Sequence, residues 1–203
     1  MLNLNSISES IREMMTTNTD NMLIAFLTPP ANELRNDILR ESLRGIVDNA
    51  IKEFGNSWES DKKIHDENDC FYINMKVKDD SSYFYLALVV TQNRLQLQYC
   101  MVCEDDNIRP DKHQQLREYI NEAGCPGSYL DWGEAFWGWC PFGDNEFRAN
   151  NALHVAALAS EAGICPAGAS FDLPQLNLME KVGLACECFE RVLRDNGLIG
   201  VQD

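Results

Sequence analysis

The chain of 203 residues is 45% hydrophobic and 24% charged, a composition that is ordinary for a soluble globular protein with one substantial core. Its 32 acidic and 17 basic residues give a formal net charge of -15, which argues against binding to nucleic acid or to an anionic membrane and permits a basic protein partner. No apolar run approaches the roughly 20 residues that cross a bilayer, so we expect no membrane segment.

The N-terminal region is predicted to be an extension of the main fold. The segment Ser6-Ile7-Ser8-Glu9 is a capping-box pattern that predicts a short helix at about 6–15, and Pro29-Pro30 interrupts the chain after it. From Asn32, apolar residues recur at helical spacing as far as Phe54, and Gly55 is placed to end this helix. We therefore predict an extension at 1–30 and a single α+β domain at 31–203.

The centre of the domain is predicted to be a three-stranded antiparallel meander. The polar segment 56–69 is typical of a solvated loop, and apolar residues then alternate from Phe71 to Val77. The stretch from Phe84 to Val90 is apolar on both faces, which predicts a central strand that is covered on each side. The next stretch alternates, which predicts a half-buried strand whose wet face carries Arg94, Gln96 and Gln98.

Three helices and a hairpin complete the predicted order. Pro110 suits the first turn of a helix that Gly124 should end. A tryptophan-rich hairpin follows at about 128–140, then an alanine-rich helix at about 145–162 and a last helix at about 173–196. The predicted fold class is therefore α+β, with a five-stranded antiparallel sheet (a meander of three strands, a helix and a two-strand hairpin) flanked by helices.

This order of elements resembles the type III secretion chaperone-like fold, and within it the YbjN-like branch. The similarity spans roughly 33–196 and is carried by the meander from Phe71 to Val102, the helix from Asp111 to Asn121 and the segment Gly127-Ser128-Tyr129-Leu130-Asp131. The tryptophan-rich hairpin, the alanine-rich helix and the loop at 163–170 are additions to that plan. The resemblance implies a dimer-prone, non-enzymatic protein that binds other proteins.

The aromatic hairpin supplies the candidate partner-binding residues. Trp132, Phe136, Trp137 and Trp139 lie within eight residues of one another. By strand alternation Trp137 and Trp139 share one face and Phe136 lies on the other. One interpretation is that the tryptophans fill the core under the last helix. The other is that part of this set stays exposed as an interface, because tryptophans concentrate binding energy.

The eight cysteines are expected to be reduced thiols of a cytoplasmic protein, because the chain starts without a secretion leader. The segment Cys100-Met101-Val102-Cys103 is a C-x-x-C, but residues three apart in a strand point to opposite faces, so no metal or redox site is predicted there. The pair Cys186 and Cys188 is interpreted as packing.

No cofactor and no catalytic residue is predicted from the remaining motifs. Cys-Pro pairs resemble haem-regulatory motifs, yet each one here lies where an element ends, and proline is an ordinary stop signal there. These pairs begin at Cys125, Cys140 and Cys165. The three histidines lie in no recognisable nucleophile or metal motif; they are His65, His113 and His154.

These observations favour a non-enzymatic cytoplasmic module that binds a protein partner through its sheet and aromatic hairpin, in a chaperone-like manner and as a homodimer. Two alternatives stay open. One is an enzyme that uses a cysteine with a distant histidine. The other is an acidic inhibitor or immunity-type protein that blocks a basic target, for which the net charge of -15 is suited.

Overall fold

The structure, a computed structural model, describes residues 31–54, 57–67, 70–78, 84–91, 95–101, 110–125, 136–141, 148–164, 173 and 175–199. For 31–34, 110–113 and 136–141, and for Glu67 and Met101, the description is of the backbone. The predicted extension at 1–30, with its short helix, lies outside these residues. The division into an extension and one domain therefore stays a prediction.

The described strands form one antiparallel sheet. They are β1 (Trp58–Ser60), β2 (His65–Glu67), β3 (Cys70–Val77), β4 (Phe84–Val90), β5 (Leu95–Met101) and β6 (Phe136–Pro141). The order across the sheet is β1-β3-β4-β5-β6, and β2 pairs with β3 further along the edge that β1 also uses. The predicted meander is confirmed, with β4 at its centre, where Leu88 lies opposite both Ile73 and Leu97. The predicted α+β class with an antiparallel sheet and flanking helices is confirmed as well.

The prediction of a solvated loop at 56–69 holds for 61–64 and is wrong for the residues on either side, which form β1 and β2. Trp58 in β1 is opposite Val77, and His65 in β2 is opposite Tyr72. The Trp58 side chain is 1% exposed, and its ring lies 6.5 Å from that of Phe189. Strands of three residues within a charged sequence are too short to display a hydrophobic period, which is why the pattern missed them.

Four helices are described, α1 (Ala31–Phe54), α2 (Pro110–Glu122), α3 (Ala152–Glu161) and α4 (Leu178–Asp195). Gly124 follows α2 with a φ of 65°, as its predicted role requires. The last two helices begin later than predicted. The side chain of Asn151 accepts a hydrogen bond from the backbone N–H of Leu153, which fixes the start of α3. The residues just before α4 are not helical.

The helices build the core on one face of the sheet. Helix α1 contacts α3 and α4 and also packs on β1, β3 and β4. Leu43 and Ile46 are buried on its inner side, as the helical spacing predicted, whereas Phe54 at its end is exposed. From the sheet, Tyr99 meets the ring of Phe189 in α4 edge to face at 5.2 Å.

A carboxylate ties the edge of the sheet to this helical layer. Glu190 in α4 accepts hydrogen bonds from Ser57 Oγ at 2.6 Å and from Trp58 Nε1 at 3.0 Å. Its second oxygen accepts from Arg194 Nε at 2.9 Å. Because Trp58 is buried, its indole N–H needs an acceptor within the protein, and Glu190 provides it.

Candidate functional site

Strand β6 contains most of the aromatic residues that the sequence singled out. Trp132 lies outside the described residues, and Phe136, Trp137 and Trp139 lie in β6, where the description is of the backbone. β6 pairs antiparallel with β5 and stands last in the described strand order. It takes the place predicted for the second arm of the hairpin. The first arm at 128–132 falls outside the described part of the chain, so the hairpin itself stays a prediction.

A β-bulge interrupts the ladder between β5 and β6. Gly138 is opposite Tyr99, and Phe136 is opposite Cys100, so Trp137 is an extra residue on the β6 side. A bulge breaks the simple alternation of faces along a strand. The expectation that Trp137 and Trp139 share a face therefore no longer follows from strand period alone.

The face of the sheet away from the helices is also buried. Ala87, Val89 and Cys100 form a second apolar cluster there, with Tyr72 and Tyr85 packed against it. This cluster contains no residue of the four described helices. The double-sided apolar pattern of β4 is thus matched by burial on both faces.

The prediction that Gln96 and Gln98 form a wet face of β5 is wrong, because both side chains are buried. Gln96 is 1% exposed, and neither of its amide atoms has a hydrogen-bond partner among the described residues. Alternation gives the period of a strand but does not tell whether the polar face is covered. The result is a buried sheet face that combines small apolar side chains with amides.

The histidine in β2 is part of a polar cluster near the end of β3. His65 Nε2 lies 2.8 Å from Asp61 Oδ2, and the ring stacks on Tyr72 with centroids 4.6 Å apart and planes at 7°. Cys70 lies two residues before Tyr72 on β3, on the same side of the strand. Asp61 orients the imidazole, as a carboxylate does in many sites, yet among the described residues no group of three or more His, Cys, Asp or Glu is suited to a metal ion.

The other two histidines differ in how much of them is described. His154 Nδ1 accepts a hydrogen bond from the backbone N–H of Arg148 at 2.9 Å, and burial, aided by the charge of Arg148, lowers its pKa. The imidazole therefore serves as a neutral acceptor in the turn before α3. For His113 in α2, the description is of the backbone.

Two of the cysteines whose side chains are described are buried thiols. Burial raises the pKa of Cys100 well above its ordinary value and outweighs a hydrogen bond with Tyr85 that lowers it. Burial also raises the pKa of Cys186, and Glu190 and Glu187 add to the effect. Because the thiolate is the nucleophile, both groups are poorly suited to covalent catalysis at neutral pH. Of the C-x-x-C pair, Cys103 lies outside the described residues.

The expectation that all cysteines are reduced is wrong for one pair. Cys125, just after α2, and Cys188 in α4 form a disulfide with their Cα atoms 5.5 Å apart. Both are buried, whereas Cys70, Cys100 and Cys186 form no disulfide. The interpretation of Cys186 and Cys188 as a packing pair therefore holds for Cys186 alone. Sequence gave no signal for this disulfide, since the partners are 63 residues apart.

A cavity of about 370 Å³ lies where α3 ends and α4 begins. Glu161 faces it, and its carboxylate accepts hydrogen bonds from the backbone N–H groups of Leu178 and Met179. Asn177, at the N-cap position, has a φ of 53° and makes no side-chain capping bond, so Glu161 caps α4 in its place. Burial raises the pKa of Glu161 despite these donors. The carboxylate therefore has a structural role that the sequence pattern did not reveal.

In the described part of the chain, none of the helices has both the length and the apolar character needed to span a bilayer. Comparison with protein-family models, with curated proteins and with solved structures finds no match to this chain.

Proposed function

We propose that this protein is a non-enzymatic protein-binding module that acts through its sheet and its aromatic hairpin, and that β6 mediates self-association into a homodimer. The resemblance to the YbjN-like branch of the type III secretion chaperone-like fold implies the same kind of role. A cytoplasmic location is part of the proposal and is supported by Cys70, Cys100 and Cys186, which form no disulfide.

The observation that carries the proposal is the position and composition of β6. This strand is last in the described strand order, and its six residues, Phe-Trp-Gly-Trp-Cys-Pro, include no charge. Edge strands of soluble proteins are usually protected by charged side chains that prevent pairing with another chain. A charge-free strand at the end of the described sheet, in a chain of net charge -15, is therefore a candidate pairing surface.

A second copy of the same chain suits this edge. A two-fold axis would bring two β6 strands together antiparallel and extend the sheet across the dimer. Because β6 has no charged side chain, this pairing would bury no unpaired charge from either strand. The aromatic residues Phe136, Trp137 and Trp139 would lie at the centre of this interface, where binding energy is usually concentrated.

The buried thiols support a binding role over a cysteine-dependent enzyme. Cys100 and Cys186 are kept protonated by burial, as their raised pKa values indicate. His65 has Asp61 and Tyr72 as partners on an exposed edge of the sheet. Neither thiol is therefore activated in the way that a nucleophile requires.

The test compares the mass in solution of the wild-type protein with that of two variants. Sedimentation equilibrium is expected to give twice the chain mass of 23.1 kDa for the wild type. The double variant Trp137→Lys/Trp139→Lys is expected to give the single-chain mass, because it places charge on the edge strand. Leu184→Lys is the matched control, since Leu184 is an apolar residue on α4 that is 50% exposed, and it should leave the dimer intact.

A wild-type mass of one chain at every concentration would refute the proposed dimer, whatever the variants do.

Salt separates the acidic-inhibitor alternative from self-association. Added salt screens the repulsion between two chains of charge -15 and should strengthen the dimer. Binding to a basic target should instead weaken as salt is added.

A further inference from the structure

We propose that the Cys125–Cys188 disulfide is a thiol–disulfide exchange site, opened by small thiols and dithiols, in which Arg191 stabilises the Cys188 thiolate as it leaves. This inference rests on the proposed cytoplasmic location and does not depend on the proposed dimer. It begins from the pairing itself, which joins the residue after Gly124 to the middle of α4. In a cytoplasmic protein such a bond is usually transient and redox-sensing rather than permanent.

The position of Arg191 distinguishes the two sulfurs. Arg191 Nη2 lies 3.5 Å from Cys188 Sγ and donates to the backbone oxygen of Ala123 at 3.5 Å. The guanidinium thus bridges the end of α2 and the disulfide. A cation beside a sulfur stabilises the thiolate, and a more stable thiolate leaves faster in exchange.

The other buried cysteines of the described residues, Cys100 and Cys186, lack this arrangement. The pKa of Cys186 is raised by burial and by the nearby carboxylates of Glu187 and Glu190, while that of Cys100 is raised by burial. These surroundings disfavour the thiolate. The environment of Cys188, one turn from a guanidinium, favours it.

The exchange balances as two displacements. Cys125 and Cys188 are 5% and 8% exposed, so the attack takes place when the end of α2 opens locally. The thiolate of a small thiol then attacks Cys125 Sγ, a bond forms between these two sulfurs, and the Cys125–Cys188 bond breaks with its electron pair passing to Cys188. A second small thiolate then attacks the sulfur of the mixed disulfide that came from the first small thiol, and this attack releases the Cys125 thiolate. The protein disulfide is reduced to two thiols, and two small thiols are oxidised to one disulfide.

The bond controls the attachment of α2. This helix buries Leu116 and Ile120 in the core and contacts α4 and β6. The disulfide lies directly after its last turn and ties it covalently to α4. Reduction therefore removes the covalent link between α2 and α4 and leaves the apolar contacts to hold the helix.

The experiment measures how fast dithiothreitol opens the bond in the native protein. Samples are quenched in acid and alkylated, and mass spectrometry of the peptides gives the labelled fraction of Cys125 and Cys188 with time. Arg191→Gln is expected to slow opening about 3- to 10-fold, and Arg191→Lys should recover part of the rate. The control Arg44→Gln removes an exposed arginine that pairs with Glu41 on α1, and it should leave the rate unchanged.

Two results would overturn the proposal. One is an Arg191→Gln rate equal to that of Arg44→Gln with both variants folded by circular dichroism. The other is a wild-type disulfide that resists millimolar dithiothreitol until the protein unfolds. The mixed disulfide itself provides a separate readout, since glutathione should be found on Cys125 rather than on Cys188 when the first displacement is trapped.

Discussion

Replacing Glu190 should destabilise the fold strongly, because one carboxylate accepts from a buried indole and a partly buried hydroxyl and pairs with a cation. Glu190 is 18% exposed on its side chain, so the hydrogen bonds from Ser57 and Trp58 lie largely out of water. A hydrogen bond to a charged group contributes about 1.5–3 kcal/mol, and the partial exposure favours the lower end. We therefore expect Glu190→Ala to lower the free energy of unfolding by about 3 kcal/mol, and Glu190→Gln, which keeps one acceptor oxygen, by about 1.5 kcal/mol.

Urea unfolding, monitored by far-ultraviolet circular dichroism, measures these differences in the free energy of unfolding. An unchanged m-value would show that the variants expose the same surface area on unfolding as the wild type. The control is Glu41→Ala, which removes an exposed carboxylate paired with Arg44 and should change the free energy by less than about 0.5 kcal/mol. A second Trp58→Phe change in the Glu190→Ala background removes the unpaired indole N–H and should recover part of the loss. If Glu190→Ala and Glu41→Ala unfold at the same urea concentration, the proposed link between β1 and α4 does not contribute to stability.

Three further predictions concern helix packing, pH and the disulfide. In Gly45→Ala the new Cβ would lie 2.8 Å from the backbone oxygen of Ala162. Thermal unfolding should therefore show that the free energy of unfolding falls by about 1–3 kcal/mol, although alanine has the better helix propensity. A stabilised variant would contradict the close approach of α1 to α3. Burial raises the pKa of Glu161 above 4.5, so its ionisation opposes folding. The wild type should lose stability relative to Glu161→Gln as pH rises from 4.5 through the raised folded value, and parallel pH profiles would refute this. Cys125 and Cys188 are 63 residues apart, so reducing the bond should lower the free energy of unfolding by up to roughly 4 kcal/mol. Urea titrations with and without reductant measure this difference. A loss below about 1 kcal/mol would contradict the expected constraint on the unfolded chain.

The meander and the four helices could be predicted because their residues repeat with a clear period. The alternation from Phe71 to Val77 and the doubly apolar run of β4 each specify a strand, and Leu43 and Ile46 in α1 specify a buried helical face. β1 and β2 escaped the same reasoning. Each of these strands has three residues, and it forms because it pairs with β3. The local sequence pattern does not predict that contact.

The features of the candidate site were harder to predict, because they depend on neighbours that are distant in sequence. The burial of Gln96 depends on what covers the second sheet face. The capping of α4 by Glu161 and the pairing of Cys125 with Cys188 both join residues that only the fold brings together. The bulge at Trp137 shifts the aromatic strand out of simple alternation. The neighbouring Gly138 is compatible with a bulge, but a glycine in a strand can equally mark a close approach, so it did not specify one.

Hydrogen exchange of the β6 backbone as a function of protein concentration tests the proposed interface most directly. If two copies pair through this strand, the amides of residues 136–140 should exchange faster on dilution, while those of β4 at the centre of the sheet should not change. Exchange in β6 that is the same at every concentration would contradict self-association through this edge.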